Sequence, residues 1–354
     1  MEFKLGEFFC GPGGIALGAI KTPKVFSKDG VEFTIKPSWA SDYDSDTCKT
    51  YGLNIHGDEK SEHVIHQDVK EIDIKSLEPC DGFAFGFPCN DFSIVGDSKG
   101  LNGEYGPLYS YGVKYLKLHK PKWFVAENVG GLSSSNNGEA LKIILNSMKK
   151  AGYIITPHLY KFEQYGVPQT RHRILIVGIR SDLGVSYKVP CQTHMENQVS
   201  SKNSITKPPI TNSANNHEFV VNSKQVIERL KHIKPGKNAW SKDIPDDLKL
   251  NVKGAKLSNI YKRLDPDKPS YTVTGSGGGG THMYHWKENR ALTNRERARL
   301  QTFPDDFLFI GTKEGIRRQI GMAVPPTAAS VIFLAVLKSF AGVEYASVDQ
   351  NIIF

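Results

Sequence analysis

The sequence is poor in features that would place the chain in a membrane or in an oxidising compartment. Its 354 residues include five cysteines and no CxxC pair, which argues against both a disulfide framework and a zinc site. The longest apolar run, residues 331–337, is far too short to cross a bilayer. The first residues lack the basic and apolar regions of a signal peptide, and no internal repeats occur. We therefore expect a protein of the reducing cytoplasm that carries no metal.

Positive charge is unevenly distributed along the chain. The net charge is +8, and residues 191–318 hold 22 Lys and Arg against 13 Asp and Glu, a net of +9. The remainder holds 23 against 24, so the whole excess lies in one segment. This distribution favours nucleic-acid binding over the alternative of a generally basic, solvated surface. The length is sufficient for two domains.

The first half alternates strand-like and helix-like segments. Residues 3–9 are strand-like, a helical segment begins near residue 15, and the turn between them contains Phe9, Gly11, Pro12, Gly13 and Gly14. Strand, glycine turn and helix begin a nucleotide-binding unit, but the spacing is not the dinucleotide fingerprint. A plain tight turn is an equally good interpretation. Residues 21–36 are expected to form a loop, and residues 37–44 a second strand that ends in acid.

Carboxylates follow two of the predicted strands. Asp42 could accept hydrogen bonds from ribose hydroxyls, and Tyr43 beside it could stack on a purine. The alternative is a helix cap, in which Asp42 or Asp44 begins the next helix. Asp68 follows a short strand and offers another acid in a loop.

One cysteine stands out by its position. Residues 81–85 have the pattern of a buried strand, and the loop after it carries Pro88, Cys89 and Asn90. Open α/β sheets place their chemistry at the carboxyl ends of strands, and a thiolate is a strong nucleophile. Most cysteines are nevertheless small buried hydrophobes, so position alone leaves both interpretations open.

Further chemical groups accompany the later strands. Glu127 lies near the end of a buried strand, and Arg171 and Arg173 precede the apolar strand 174–179. Two arginines two residues apart face one side of a strand and would suit a clamp for an anion or carbonyl, although ordinary solvated arginines are the alternative. Helical spacing predicts a helix around residues 141–148, and a further strand is predicted at 153–161.

The second half has a different composition. Residues 190–222 are rich in Ser, Asn, Thr and Pro and are expected to form a domain junction or long loop. A strand near residue 270 runs into a glycine loop that could fit a groove or be only a flexible turn. Thr293 and Glu296 form a capping box that predicts a helix through residue 301, and an apolar helix is expected at 328–340.

The order of these motifs carries more information than any one of them. The chain contains FxxGxGG, a strand-end acid, GFPC followed by FS, Glu-Asn-Val, Gln-x-Arg-x-Arg, Arg-Glu-x-Ala-Arg and Gly-x-Ala-Val-Pro. In this order the motifs resemble those of the DNA (cytosine-5)-methyltransferases of bacterial restriction–modification systems, over nearly the whole length. The resemblance implies an α/β fold with a Rossmann-like, S-adenosylmethionine-dependent methyltransferase sheet in residues 1–190 and 319–354. It implies a smaller, irregular target-recognition domain at 191–318.

The same resemblance implies roles for individual residues. Catalysis is implied for Cys89, Glu127 and Arg173, with Arg171 supporting the loop. DNA contacts are implied in the target-recognition domain, at Thr272, Val273, Gly277 and Gly278. Contacts with S-adenosylmethionine are implied for Phe9, Gly11, Pro12, Gly13, Gly14, Asp42, Tyr43, Asp68, Val69, Pro88, Leu108, Met322 and Ala323. Two positions depart from the family pattern, because Asn90 replaces the usual Gln and Met322 the usual Asn.

The implied chemistry explains these residue types. Carbon 5 of cytosine is too poor a nucleophile to accept a methyl group directly. Attack of the Cys89 thiolate on carbon 6, with Glu127 acting at N3 and Arg173 at O2, would activate carbon 5. The target base would have to flip out of the duplex. We expect a monomer that acts on duplex DNA and for which a cognate restriction endonuclease could be a functional partner.

Three other functions are compatible with parts of the sequence. A tRNA-modifying branch of the same fold is one, but its Cys-Phe-Thr signature is absent. A catalytically silent DNA-binding relative is another, against which the presence of Cys89, Glu127 and Arg173 argues. A nicotinamide dehydrogenase would need a better glycine fingerprint and would leave Cys89 and Glu127 unexplained.

Overall fold

The computed structural model describes residues 1–87, 108–129, 138–251 and 257–353. The chain divides into two compact units. The first comprises Met1–Phe162, His172–Thr193 and Val324–Phe354, and the second comprises Glu163–Arg171 and His194–Ala323. The assignment of a catalytic and a target-recognition role to particular segments stays a prediction.

Strands and helices alternate through the first unit, whereas the second is mainly loops and short helices. The strands are β1 Glu2–Phe8, β2 Val25–Phe26, β3 Glu32–Asp42, β4 Val64–His66, β5 Gly82–Gly86, β6 Trp123–Val129, β7 Tyr153–Lys161, β8 Gln169–Thr170, β9 His172–Arg180, β10 Val189–Pro190, β11 Ser270–Tyr271 and β12 Ser347–Val348. The α-helices are α1 Gly14–Lys21, α2 Ser45–Tyr51, α3 Tyr109–His119, α4 Glu139–Lys150, α5 Ser201–Thr206, α6 Lys224–Lys231, α7 Asn294–Leu300, α8 Lys313–Met322 and α9 Pro326–Ala341.

A mixed sheet forms the centre of the first unit. Its order is β2-β3-β1-β5-β6-β9-β7, and β4 also pairs with β3. Strands β4, β3, β1, β5 and β6 run parallel, whereas β9 pairs antiparallel with both β6 and β7. Strand β1 lies between β3 and β5, because the chain passes from β1 to β3 on one side and later crosses from β4 to β5 on the other side. In such sheets the crevice at the carboxyl ends of the strands is where ligands bind.

Aromatic packing fixes the spacing of these strands. Phe83, Phe85 and Phe124 are fully buried in a large apolar cluster. Gly82 gives room to the neighbouring strand, because a Cβ there would lie 2.0 Å from the Trp123 ring. The missing side chain at the beginning of β5 therefore lets β5 and β6 pair beneath a large indole.

Helices α1 and α9 pack closely together in the first unit. A Cβ on Gly18 would lie 2.5 Å from the Ala329 Cβ, so only glycine allows this approach. One stretch, Lys313–Ala341, is long and apolar enough to cross a membrane by length and composition alone. It comprises two helices, α8 and α9, and 67% of its most apolar window is buried inside the protein, as in a core helix.

The second unit has its own small core. The fully buried Leu230 packs there with Tyr261, Tyr284 and other apolar side chains. The buried Arg263 links the surrounding loops, because it donates hydrogen bonds to the carbonyls of Leu230, His285 and Glu288. Hydrogen bonds from one buried guanidinium to backbone carbonyls thus hold several loops of this irregular unit together.

Several predicted elements are confirmed and one prediction is wrong. The strand at 153–161 and the helix around 141–148 are present as β7 and α4, and the capping box of Thr293 and Glu296 opens α7. The loop expected at 21–36 contains β2 and the beginning of β3, because the buried Phe33 and Ile35 alternate with more exposed residues. The domain junction or long loop expected at 190–222 contains the boundary between the two units, at Thr193 and His194, together with the short helix α5, which Ser200 caps.

Candidate active site

The glycine turn after β1 is joined to the end of β3. Gly11 donates its backbone N–H to Asp42 Oδ2 over 3.0 Å, and the Asp44 amide donates to Asp42 Oδ1 over 3.1 Å. Burial raises the pKa of Asp42, and the hydrogen bonds from Asp44 and Gly11 oppose that shift. Gly11 and Gly13 have φ values of 56° and 100°, which favour glycine.

The two acids at the end of β3 have different partners. Asp44 caps α2, because its Oδ1 accepts hydrogen bonds from the backbone and hydroxyl of Thr47 at 2.9 and 2.6 Å. Asp42 is not that cap and instead accepts the amide of the glycine turn. The adjacent Tyr43 is 66% exposed.

The other predicted cofactor residues lie around these elements or at the beginnings and ends of helices. Asp68 is exposed after β4 and accepts the Lys70 amide, whereas Val69 is buried. Phe9 is partly buried, and Pro12 in the turn and Gly14 at the beginning of α1 are buried. Leu108 is buried before α3. In the second unit, Met322 is 61% exposed at the end of α8, and the following Ala323 is buried. Their contacts with a cofactor stay predictions.

The loop that carries the cysteine begins at a constrained point. Pro88, Cys89 and Asn90 lie outside the described residues, but Phe87 immediately precedes them. Asn128 is 1% exposed and donates its side-chain amide to the Phe87 carbonyl over 3.2 Å. Asn128 therefore fixes where the loop leaves β5. The sequence signal for Asn128 was its position in the Glu-Asn-Val motif beside Glu127. Its contact with Phe87 could not be predicted from that motif, because the contact depends on the pairing of β5 with β6.

Glu127 and Arg173 form an ion pair at the end of β6. Arg173 Nε lies 2.9 Å from Glu127 Oε1, and the two side chains are 14% and 13% exposed. Glu127 is paired in register with Gly86, and a Cβ on Gly86 would lie 3.4 Å from Glu127 Oε2. The second carboxylate oxygen is therefore directed to the strand end from which the Cys89 loop departs.

Arg171 has a different role from the one its spacing suggested. Its side chain is 2% exposed and donates from Nη1 to the Val273 carbonyl over 3.2 Å in the second unit. Arg173 pairs with Glu127, so the two arginines have different partners, and their roles in catalysis stay predictions. Strand β8 pairs with β11, whereas β9 pairs with β6 and β7. Arg171 and Arg173 are therefore not on one continuous strand, and their side chains need not face the same side.

The glycine loop of the second unit has an anchored base and an exposed tip. Val273 is fully buried, and its amide donates to Gln169 Oε1 over 2.7 Å. Thr272 donates its hydroxyl to the Thr170 carbonyl over 2.7 Å. Beyond this base, Gly277 has a φ of 120°, and no atom lies within 4 Å of a Cβ built on the exposed Gly278. The tip could therefore approach a ligand closely.

A buried acid lies on β1, two residues before the glycine turn. Glu7 is fully buried, and Tyr51 donates its hydroxyl to Glu7 Oε1 over 2.8 Å. Burial raises the pKa of Glu7 to about 8, and the hydrogen bond from Tyr51 only partly opposes the shift. The buried Glu7 was not predicted from the sequence, because the pattern of β1 does not show that Tyr51 of α2 covers this side of the strand.

Solved structures identify the fold. The fold is similar to that of a protein described as a DNA modification methyltransferase encoded within an E. coli prophage, with a TM-score of 0.72 and 23% identity, over 95% of this chain and 99% of that one. It is also similar to the methyltransferase EhMeth of Entamoeba histolytica, with a TM-score of 0.64 and 18% identity, over 96% and 99%. The α/β methyltransferase fold predicted from the motifs is confirmed.

The family follows from the sequence comparisons. The model of the C-5 cytosine-specific DNA methylases matches residues 3–338, and the chain belongs to this family. It is 56% identical to the type II methyltransferase M.BbvI of Brevibacillus brevis, over 99% of this chain and 95% of that protein. It is 38% identical to M.NgoFVII of Neisseria gonorrhoeae, over 98% and 90%. The chain is a cytosine-5 DNA methyltransferase of the type II restriction–modification type.

Proposed function

We propose that this enzyme methylates carbon 5 of a flipped-out cytosine in a specific duplex DNA site through a covalent adduct with Cys89. The observation that carries the proposal is the Glu127–Arg173 ion pair beside Gly86, at the strand end where the Cys89 loop begins. An acid and a guanidinium thus lie at the strand end where the loop of the predicted nucleophile begins, which supports a role for both in attack on a cytosine ring.

The glycine turn fits an adenosine-type cofactor. A Cβ on Gly11 would have no atom within 4 Å, so the turn leaves free space above its backbone. Asp42 would hold the ribose hydroxyls, because its two oxygens are oriented by backbone amides and retain further lone pairs. The exposed Tyr43 ring would stack on the adenine. S-adenosylmethionine, when bound, supplies an electrophilic methyl group.

The protein residues activate the base. The Cys89 thiolate forms a bond to carbon 6, and the electron pair of the 5,6 double bond becomes available at carbon 5. Glu127 in its protonated form donates a hydrogen bond or that proton at N3, and Arg173 holds O2 and stabilises developing negative charge. After methylation, carbon 5 loses its proton, the bond from sulfur to carbon 6 breaks, and the thiolate is released.

Covalent trapping tests the proposal. The methylated site is first located by bisulfite sequencing of a plasmid propagated with the enzyme, and a duplex with 5-fluorocytosine at that position is then incubated with enzyme and S-adenosylmethionine. The wild type should form a covalent complex, because fluorine at carbon 5 blocks the final elimination. Cys89→Ala should form none, and Cys191→Ala is the matched cysteine control. Trapping by Cys89→Ala would overturn the assignment of the nucleophile.

A further inference from the structure

Helix α7 carries three buried arginines, of which two have strong partners. Arg295 and Arg299 are 0% and 7% exposed. Arg299 pairs with Asp305 through two hydrogen bonds of 2.8 and 2.5 Å. Arg295 donates hydrogen bonds of 2.8 to 3.0 Å to three backbone carbonyls, those of Asn215, Pro304 and Phe307. These two arginines are structural residues that hold loops against the helix.

Arg297, between them, lacks comparable partners although it is 2% exposed. Its hydrogen bonds, to the Leu292 carbonyl and His282 Nδ1, are both 3.5 Å long. Within the part of the chain that the structure describes, no carboxylate lies within 4.0 Å of it, and the adjacent Glu296 is engaged by Arg290 at 2.7 and 2.8 Å. Burial lowers the pKa of Arg297 to about 10, so the group stays charged at neutral pH.

A second guanidinium faces the same region from α8. Arg317 has a buried Nε without a hydrogen-bond partner among the described residues. Its one ion pair there is a 3.3 Å contact with Glu314, whose side chain is 80% exposed. After burial, the charge of Arg317 is the largest influence that lowers the pKa of Arg297. Arg317 thus has one ion pair among the described residues, with a solvated carboxylate, and its positive charge acts on Arg297.

His282 completes the group. Burial, followed by the charges of Arg297 and Arg317, lowers the pKa of His282 to about 4, so the ring is neutral near pH 7. Because a guanidinium can only donate, Nδ1 accepts the hydrogen bond from Arg297, and the ring proton is carried by Nε2. Three side chains therefore supply N–H donors here, and none supplies a negative charge.

This group lies at the base of the glycine loop. His282 directly follows the loop, residues 275–281. A Cβ on Gly321 would lie 2.0 Å from the Gly275 nitrogen, so the first residue of the loop packs directly on α8, the helix that carries Arg317. Any anion held by Arg297 and Arg317 would therefore also be adjacent to the loop.

We propose that Arg297, Arg317 and His282 form a binding site for one backbone phosphate of the DNA at the base of the glycine loop. The proposal rests on the proposed function and names a contact of the same DNA complex. A phosphodiester supplies the missing negative charge and two acceptor oxygens that suit guanidinium groups. A buried cation without a counter-ion destabilises the free protein, and binding of the phosphate relieves that penalty. The site would register the loop on the duplex without reading its sequence.

Neutral phosphate analogues test the contact. Cognate duplexes carrying one methylphosphonate at successive positions around the target cytosine are measured with wild type and with Arg317→Gln. At one position the substitution should weaken wild-type binding roughly 10- to 100-fold, as expected for loss of a charge-assisted hydrogen bond. At that position the methylphosphonate should weaken DNA binding by Arg317→Gln only slightly, because this variant has already lost the contact. Additive effects at every position would overturn the proposal. A wild type that neither binds nor methylates duplex DNA would instead refute the proposed function.

Stability separates a ligand site from a structural one. Arg297→Met should keep or raise the Tm of the free enzyme, because it removes an uncompensated buried charge, while binding of every duplex weakens. Arg295→Met should lower the Tm, because three backbone carbonyls lose their donor. Lys313→Gln removes one exposed positive charge from α8 and should not remove the methylphosphonate effect. If Arg297→Met instead lowered the Tm and its folded molecules bound DNA as tightly as wild type, Arg297 would have a structural role and the proposal would be wrong.

The histidine reports the source of the anion. The pKa of His282 should rise when cognate duplex binds, because the phosphate offsets the two guanidinium charges, and this is measured by NMR of the ring protons. Inorganic phosphate alone at the same phosphorus concentration should cause a smaller rise. An equal rise with inorganic phosphate would show a general anion site, and no rise with either would overturn the proposal.

Discussion

The backbone N–H of Gly11 lies 3.0 Å from Asp42 Oδ2, so the glycine turn and the end of β3 are held by one carboxylate. Asp42 is therefore both a structural acceptor and the proposed ribose ligand. Asp42 does not cap the next helix, because Asp44, two residues later, caps α2 and contacts Thr47. Substitutions at the two positions can therefore distinguish cofactor binding from helix capping.

Asp42→Ala should raise the apparent constant for S-adenosylmethionine and leave DNA affinity almost unchanged. The carboxylate that would accept the ribose hydroxyls is lost, and Gly11 is no longer held. Calorimetry with the cofactor is the measurement. Asp44→Ala is the control, which should lose about 0.5–2 kcal/mol of stability through the helix cap with little effect on cofactor binding. Reversed effects of the two variants would transfer the ribose role to Asp44.

Glu127→Gln should lower the single-turnover methylation rate by ~10²–10⁴-fold, the usual contribution of a general acid or base. The substitution keeps the shape and an acceptor for Arg173, so DNA binding should be retained. Rapid-quench methylation with saturating DNA measures the rate. Glu139→Gln in the first turn of α4 is an exposed control. A near-normal rate in Glu127→Gln would assign the role to another group.

Glu7 gives a pH dependence of stability. Its pKa is raised from 4.5 to about 8, so the folded state binds this proton more tightly than the unfolded chain does. The stabilisation is fully present below pH 4.5 and is lost as the pH rises towards 8. Glu7→Gln should remove this loss and be more stable than wild type at pH 8, by on the order of a few kcal/mol.

Urea unfolding at pH 5 and pH 8 measures this difference. Glu2→Gln on the same strand is the control, because Glu2 is exposed. Parallel pH profiles for wild type and Glu7→Gln would mean that Glu7 is ionised in the folded protein.

The basic residues of the second unit should divide into phosphate-contacting and structural groups. Lys224, Lys231, Lys234 and Lys237 are exposed. Replacing a DNA-contacting lysine of this cluster, for which Lys237→Gln is the first variant, should weaken binding to cognate and random duplexes alike. It should lower the salt slope by roughly 1. Substitutions in the loop at residues 272–281 should instead change which sites are methylated, as read by methylation mapping.

Arg229, which the sequence places in the same cluster, should behave differently. It is 5% exposed, donates from Nε to the Leu248 carbonyl over 2.7 Å, and stacks on Tyr261. Arg229→Gln should therefore destabilise the enzyme by about 1–3 kcal/mol, which thermal unfolding would measure. A lysine variant that alters only site choice, or a stable Arg229→Gln with a lower salt slope, would contradict this division.

Local patterns predicted much of the fold. The capping box of Thr293 and Glu296 and the apolar spacing of α4 depend on residues a few positions apart, and both elements are present. The acid at Asp42 and the one at Glu127 were identified because carboxyl ends of strands collect chemical groups in this class of sheet. Their contacts with ligands remain predictions.

The remaining features depend on residues far apart in the chain. Asn128 contacts Phe87 only because β5 and β6 pair, and Arg171 contacts Val273 across 102 positions. Burial of Arg297 beside two satisfied arginines cannot be read from the motif Arg-Glu-x-Ala-Arg, since all three have the same side chain. Tertiary packing alone decides which arginine lacks a partner.

The short segment Glu163–Arg171 has a consequence for exchanging the second unit between relatives. It belongs to the second unit, where β8 pairs with β11, and Gln169 and Arg171 bind the amide and carbonyl of Val273. A chimaera that transplants only residues 194–323 would combine a foreign loop with the resident anchors. Transfer of a new DNA specificity should therefore require both segments to be grafted together.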